Sequence, residues 1–490
     1  MRSYFLLLLI SFLLPHIGIE NSYFEGNVGS YSTRIIIEPP GVVPGLASIK
    51  IFSIDRTVES VSVRAVHNNT IRKDTINTFN VKPEIVPRSD QVNNMFKTNL
   101  WLMDYGAYGV EVFFSGPKGK SSVIVPVNSI SSKTIEMSKF MSYTLWCLLI
   151  LLFVGGVNII GTAYYESTLD KNKTPTNAKL KKTYIVYGLS SIILFFMVYG
   201  GYNWWLAIEK NFMERFYKPF PTNVNIKGDI LNILIDSPSK DAPWIDKQGT
   251  IREHGKIISE HNKLAHIYIF DKDKNSFMAH LHPISLINDY EFETCLPPMR
   301  AGDYVMYADL AHEDGYSHSI TQTFKIESSI NNTMYNQGLC DPDNSYSNFD
   351  QTSIDVDWVN KKNVYSLDDN IGFDLKVSKD NELVELDSYV GMGAHGVIVD
   401  LDSELYMHMH PLGSISMGAQ RKFMKSDTEN FICDFGLIED EYGNFKELDG
   451  MGRIIFPSIN LKEGNYRFFV QLKIKESQKI VSKQFDFSIN

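Results

Sequence analysis

Two stretches of the chain run without a single charge: residues 141–164, MSYTLWCLLILLFVGGVNIIGTAY, and residues 183–207, TYIVYGLSSIILFFMVYGGYNWWLA. Each exceeds the roughly 20 helical residues that cross a hydrocarbon core, and a helix satisfies its own backbone in lipid. Tyr164, Tyr165, Trp204 and Trp205 stand where interfacial aromatics belong. Elsewhere the apolar positions recur with period two. TRIIIE, ASIKIFSI, SVSVRAV, GVEVFF and SSVIVPV are punctuated by Pro39, Pro40, Gly41, Pro44, Gly45, Gly116 and Pro117. Short strands bounded by such turns predict a β-sandwich over residues 20–135.

Beyond the second span the alternation resumes with NVNIKGDILNILI, AHIYIFD, EFETCLPP, DYVMYADL and ITQTFKI over residues 220–327. A polar linker at 328–351 follows, and the pattern restarts over 352–490 with GFDLKVS, HGVIVDL, RIIFPSI, YRFFVQLKI and KQFDFSI. Each half has a strand led by histidine, then a His-x-His-Pro turn, then a strand opening on Gly-x-Tyr. These are His266, His280–Pro283 and Gly302–Tyr304 in one half, and His395, His408–Pro411 and Gly464–Tyr466 in the other. The shared order predicts a duplicated sandwich, with an insertion around residues 420–450 in the second copy. The expected fold class is mainly β: one N-terminal and two tandem C-terminal Ig-like or cupredoxin-like sandwiches plus two transmembrane helices.

Charge supplies the orientation. The loop 166–182 holds Lys171, Lys173, Lys179, Lys181 and Lys182 against Glu166 and Asp170, and the positive-inside bias assigns it to the cytoplasm. Arg2 followed by the apolar run Phe5–Leu14 reads as a signal peptide over residues 1–18. Both large regions are therefore expected on the outer, periplasmic side of the cytoplasmic (inner) membrane. Neither span carries an ionisable residue, which makes the pair an anchor rather than an ion pathway. A net charge of −10 with no basic cluster excludes nucleic acid as a partner. Of the four cysteines, Cys147 lies in a span, and Cys295 with Cys340 is the nearer pair for a disulfide.

The stretches NLWLMDYGAYGVEVFFSGPKGKSSVIVPV, HNKLAHIYIFDKDKNSFMAHLHP, LPPMRAGDYVMYADLAHEDGYSHS and GMGAHGVIVDLDSELYMHMHPLGSISMGAQ together resemble a family of bacterial two-span membrane proteins without an established activity. The resemblance covers nearly the whole chain in order. It implies a bacterial envelope protein with outer β-sandwiches, and it supplies no catalytic residues.

Ten of the twelve histidines lie beyond residue 208, most of them around the two repeated turns. Residues i and i+2 of a strand share a face, so His280 with His282, and His408 with His410, can each present two imidazoles together. His266 and His395 can add a third nitrogen. His312 and His318 are further candidates in the first copy, while His254 and His261 fall on the loop before the strand. Met417, seven residues after the second turn, offers a soft sulfur. The expected metal ligands are thus His266, His280, His282, His312, His395, His408, His410 and Met417, in one site per copy. Imidazole with thioether suits copper, with zinc as the alternative. Met407 and Met409 alternate with the histidines and are expected in the core. No H-E-x-x-H, nucleophile–base pair or phosphate loop is present, and Asp341, Asp343 and Asp350 lack the Gly and closing Glu of an EF-hand. Two readings remain: a membrane-anchored copper-binding protein for acquisition, delivery or sensing, or a non-enzymatic envelope protein that binds a partner protein and whose HxHP motifs are structural turns.

Overall fold

The computed structural model describes residues 21–53, 57–68, 82–89, 94–167, 169, 173–235, 256–285, 290–331, 340–349, 353–403, 405–425, 434–439 and 445–490. The expected signal segment, His16, His254, Asp350 and Cys433 lie outside the described residues. The chain divides into a β body, residues 1–132 with 217–490, and a helical unit, residues 133–216.

The helical unit consists of Lys139–Ser167 and Asn177–Glu214. Both are long and apolar enough to cross a membrane, and each outruns the charge-free segment that marks it in the sequence. Thr176 caps the second helix, its hydroxyl accepting from the Lys179 amide, so Lys179, Lys181 and Lys182 are helical rather than looped. Gly161 lets the two helices meet: a Cβ there would lie 2.3 Å from the Tyr187 ring.

In the body, the N-terminal sandwich stacks two four-stranded sheets. One orders Ser22–Val28, Tyr31–Glu38, Gly45–Ser53 and Met95–Leu102; the other orders Glu84–Val86, Ser60–His67, Gly106–Gly116 and Gly119–Ser129. Ile35, Ile37, Ile49, Ile51, Val61, Val63, Val110 and Val112 fill the space between them. This is the alternation read in the sequence.

The two C-terminal sandwiches repeat one plan. In the first, the strand His266–Asp271 lies between Met278–Leu281 and Gly302–His312, with Ser317–Ile326 beyond. In the second, His395–Asp400 lies between Tyr406–Met409 and Gly464–Ile474, with Ile480–Ile489 beyond. Ser345–Ser347, inside the stretch expected as a linker, adds a strand next to Met278–Leu281. Cys340 of the same stretch is disulfide-bonded to Cys295.

These sheets are buried on both faces. Ile267, Ile269, Ala279 and Leu281 enter the first sandwich's own core. Ile398, Met407, Met409, Phe468 and Val470 enter the second's, so the two methionines face the core. The alternate residues (Tyr268, Phe270, Met278, Val305 and Tyr307 from one repeat, Val397, Val399, Tyr406 and Phe469 from the other) form a separate apolar cluster where the repeats pack together. Tyr307 and Tyr406 stack there with centroids 4.4 Å apart, and Phe270 meets Phe469 at 4.7 Å. Lys274 closes one end, its Nζ donating to the carbonyls of Asp400 at 2.6 Å and Ser403 at 2.9 Å.

The N-terminal sandwich docks on this pair through the second HxHP turn. The amide of Glu25 donates to the carbonyl of Leu412 at 2.8 Å, and that of Ser414 to the carbonyl of Tyr23 at 3.0 Å. Gly413 permits the approach. Its φ is +126°, and a Cβ would stand 1.9 Å from the Tyr23 carbonyl oxygen. The ends of the body that flank the helical unit also meet, the Tyr217 amide donating to the Ser131 carbonyl at 2.7 Å.

Candidate metal centre

At the end of the inter-repeat interface opposite Lys274, histidines replace the apolar residues. Register explains their convergence. Tyr268 pairs with His280 and Val397 with His408, which sets His266 opposite His282 and His395 opposite His410 on the faces turned toward the other repeat. The structure therefore gathers His266, His280, His282, His395, His408 and His410 into one buried chamber. Two separate sites, one per copy, were expected. Rings cross the interface at centroid distances of 5.7 Å for His266–His395 and 5.2 Å for His280–His395.

A seventh histidine joins them. His261 lies 5.2 Å from His410 and 6.1 Å from His266 between ring centroids. It occupies a turn closed by the Glu260–Lys263 bridge, with φ +53°. The Tyr389–Met392 bridge closes the same turn in the second repeat, where Val390 takes φ +47°. A β-branched residue in that conformation is uncommon and holds the turn under strain.

Two expected ligands stand elsewhere. His312 pairs with His318, Nε2 to Nε2 at 3.1 Å, beside Phe220. Met417 opens the helix Met417–Phe423, capped by Ser416, and its side chain packs on the core of the N-terminal sandwich. Ser416 as N-cap makes the SISMGAQ segment a helix start. Asp341 and Asp343, considered for calcium, grip Lys263 at 2.8 and 2.7 Å.

The outer nitrogens of four rings are tied to fixed acceptors. His266 Nε2 donates to the Glu260 carbonyl at 3.4 Å and His395 Nε2 to the Tyr389 carbonyl at 3.0 Å, equivalent partners in the two repeats. His408 Nδ1 donates to Asp309 Oδ2 at 3.0 Å, and His280 Nδ1 to Gln471 Oε1 at 3.0 Å. These last two bonds are exchanged between repeats: Asp309 lies opposite His266 and Gln471 opposite His395, yet each orients a histidine of the other copy. Gln471 is itself fixed by donating to Ser345 Oγ at 2.8 Å. Sequence reasoning missed Asp309 and Gln471, although both fall seven residues after the Gly of their Gly-x-Tyr strand starts.

An imidazole that donates from one nitrogen presents a bare lone pair at the other. His266 Nδ1 and His280 Nε2 are both bare and 3.1 Å apart; so are His395 Nδ1 and His408 Nε2, also at 3.1 Å. His410 Nε2 lies 3.2 Å from the same His395 Nδ1. Tyr268, stacked on His280 at 4.2 Å, can donate its hydroxyl to His408 Nε2 at 3.2 Å. His266 Nδ1 and His280 Nε2 have only each other among the described residues. Among the described residues, both ring nitrogens of His282 and Nε2 of His261 are buried with no hydrogen-bond partner.

Protons do not relieve this crowding. Burial, then the charge of neighbouring histidines, holds His266, His280, His395 and His410 well below the ordinary histidine value. Burial also pushes His261 down to about 3, and burial with Lys263 pushes His282 down to about 4. The ligand atoms form two overlapping triads, His266–His280–His395 and His395–His408–His410. A half-open cleft of about 170 Å³ reaches His408 and His410, lined also by Glu260, Asp309 and His318.

Residues 352–489 match a family described as a domain of unknown function, DUF8832, which covers the second repeat only. No curated protein matches the chain. Among solved structures it is similar to the fibronectin(III)-like modules of CbhA from Clostridium thermocellum, at 7% identity over 55% of this chain and 94% of that one, TM-score 0.15. It is also similar to a biofilm-associated protein BSP domain, at 8% identity over 96% and 66%, TM-score 0.14. A complex of Dpr2 Ig1-Ig2 with DIP-Theta Ig1-Ig3 matches at 7% identity over 96% and 98%, TM-score 0.13. The fold class rests on the sheets themselves: a mainly β protein of packed sheets with two long apolar helices.

Proposed function

We propose that this is a membrane-anchored, extracytoplasmic metal-binding protein whose ion is held in the histidine chamber, with copper the first choice and zinc the alternative. The observation that carries the reading is the pair of ring-nitrogen contacts at 3.1 Å, whose lone pairs repel in the tautomers set by the outer acceptors. A cation between the nitrogens turns that repulsion into coordination. The spacing suits the task, since bonds of about 2.0–2.1 Å at tetrahedral angles separate ligand atoms by about 3.4 Å. The outer acceptors resemble the supporting shell that fixes tautomer and raises basicity in metal-bound histidines. With Met417 turned to another core, the preference for copper rests on nitrogen affinity alone, where divalent copper exceeds zinc.

The outer location is supported by the lysines of the inter-helix connection and by the Cys295–Cys340 disulfide, a bond of oxidising compartments. Residues on both sides of the helical unit belong to one body, so they share one side of any membrane the two helices cross. The rival reading, a structural chamber in an envelope interaction protein, draws on the Tyr268 hydroxyl bond to His408. Metal analysis of the full-length chain, purified from cells supplied with copper and zinc, separates the two. Copper in the native chain and its loss in a His280→Ala/His395→Ala variant are expected. A folded native chain devoid of metal would leave the structural reading.

A further inference from the structure

Resting on that reading, we infer that the chamber is a binuclear centre with unequal sites: a tight one formed by His395, His408 and His410, and a weaker one formed by His266 and His280 with His282. A single ion with bonds of about 2.1 Å keeps all its ligand atoms within about 4.2 Å of one another. The chamber's nitrogens instead form two overlapping triads that share His395, one centred on each repeat's close pair. The ligand atoms nearest one another there are those of His266, His280 and His395; with His395 committed to the other set, His282 takes its place by symmetry. It occupies the position equivalent to His410, its ring lies 4.5 Å from His280 and 5.2 Å from His266, and among the described residues its two nitrogens are buried without a hydrogen bond, Nδ1 lying 4.0 Å from Asp341 Oδ1.

The inequality comes from the exchanged supports. His408 is oriented by a carboxylate, Asp309, whereas His280 is oriented by the neutral amide of Gln471. A carboxylate behind an imidazole makes it the better donor to a cation and offsets part of the ion's charge. Access acts in the same direction. The cleft opens on His408 and His410 between Glu260 and Asp309, while His266, His280 and His282 do not line it. The second-repeat site therefore fills first, and the first-repeat site fills through it.

The test uses the full chain in nanodiscs, stripped of metal and titrated with Cu²⁺ and, in parallel, with Zn²⁺. Bound metal per chain is counted after desalting. Two equivalents entering in two steps are expected. Asp309→Asn, which keeps the side chain's size, should weaken the first step about tenfold and leave the second. His280→Ala with His282→Ala should remove the second step alone. One equivalent in the native chain overturns the inference and leaves the metal-binding reading standing, whereas none ends both. Two steps weakened equally by Asp309→Asn would overturn the inequality. The count on the native chain does not depend on any variant folding.

Discussion

The two C-terminal repeats place a His-led strand, an HxHP turn and a Gly-x-Tyr strand in the same register, yet they have been put to different uses. The first repeat carries the disulfide and a histidine at the strained turn, and its close pair is backed by a neutral amide from the second. The second carries a valine at that turn and a glycine that receives the N-terminal sandwich, and its close pair is backed by a carboxylate from the first. Duplication thus supplied a symmetric frame, and single substitutions at equivalent positions set which copy is stapled, which is docked and which close pair has a carboxylate behind it.

Each difference can be removed by exchange. The largest effect is expected from the staple: the disulfide spans a separation of 45 residues, and loop-closure entropy gives such a link about 4 kcal/mol. Cys295→Ala with Cys340→Ala should lower stability by that amount in denaturant unfolding followed at the tryptophans. An unchanged midpoint would mean that the close packing of the Ser345–Ser347 strand holds this segment alone. Gly413→Ser gives the second turn the residue of the first, Ser285, and forces a side chain onto the Tyr23 carbonyl. A loss of about 3 kcal/mol is expected, the upper range for single-site backbone clashes, with increased proteolysis between the N-terminal sandwich and the rest.

Acid sensitivity comes next. The depressed value of His261 means that the unfolded chain binds more protons than the folded one between about 6.5 and about 3. Its contribution to stability is complete above 6.5 and is lost as pH falls through that window. Metal-free protein should lose about 2 kcal/mol from this group between about pH 6.5 and pH 5, and His261→Val, copying Val390, should flatten that slope. Thermal melts across the range read the result; parallel slopes for the two proteins would refute it. The smallest effect is the most specific. Gln471→Glu places a carboxylate behind His280, as Asp309 lies behind His408, and should tighten the weaker metal step about tenfold, or about 1.4 kcal/mol, bringing the two steps together. Isothermal titration with Zn²⁺ that still showed two well-separated steps would argue against Gln471 as the source of the inequality.

The sequence made the frame readable because hydrophobic period and turn residues act locally. Strands, spans, the duplicated order and the paired imidazoles on one face all followed from residues within about a dozen positions of each other. The site was read as two because nothing local states that both sheets bury their second face against each other. AHIYIFD and HGVIVDL hold that information as near-continuous burial, since a strand covered on both sides loses its polar alternation. The supports of the chamber join residues 99 and 191 positions apart, and neither an aspartate nor a glutamine in a strand stands out by type. Aligning the Gly-x-Tyr starts would have set them in one column. Met417 misled through its spacing from the turn, where the capping serine before it was the stronger signal.

The hydrogen bond between Ser131 and Tyr217 makes the helical unit an insertion into a body that is continuous without it. Chain ends one backbone bond apart can be joined by a short turn. Replacing residues 132–216 with a few Gly and Ser residues should release a water-soluble protein that keeps its three sandwiches and its histidine chamber. The helical unit and the histidine chamber are then separable, and the second can be studied, crystallised or borrowed for design with no lipid present.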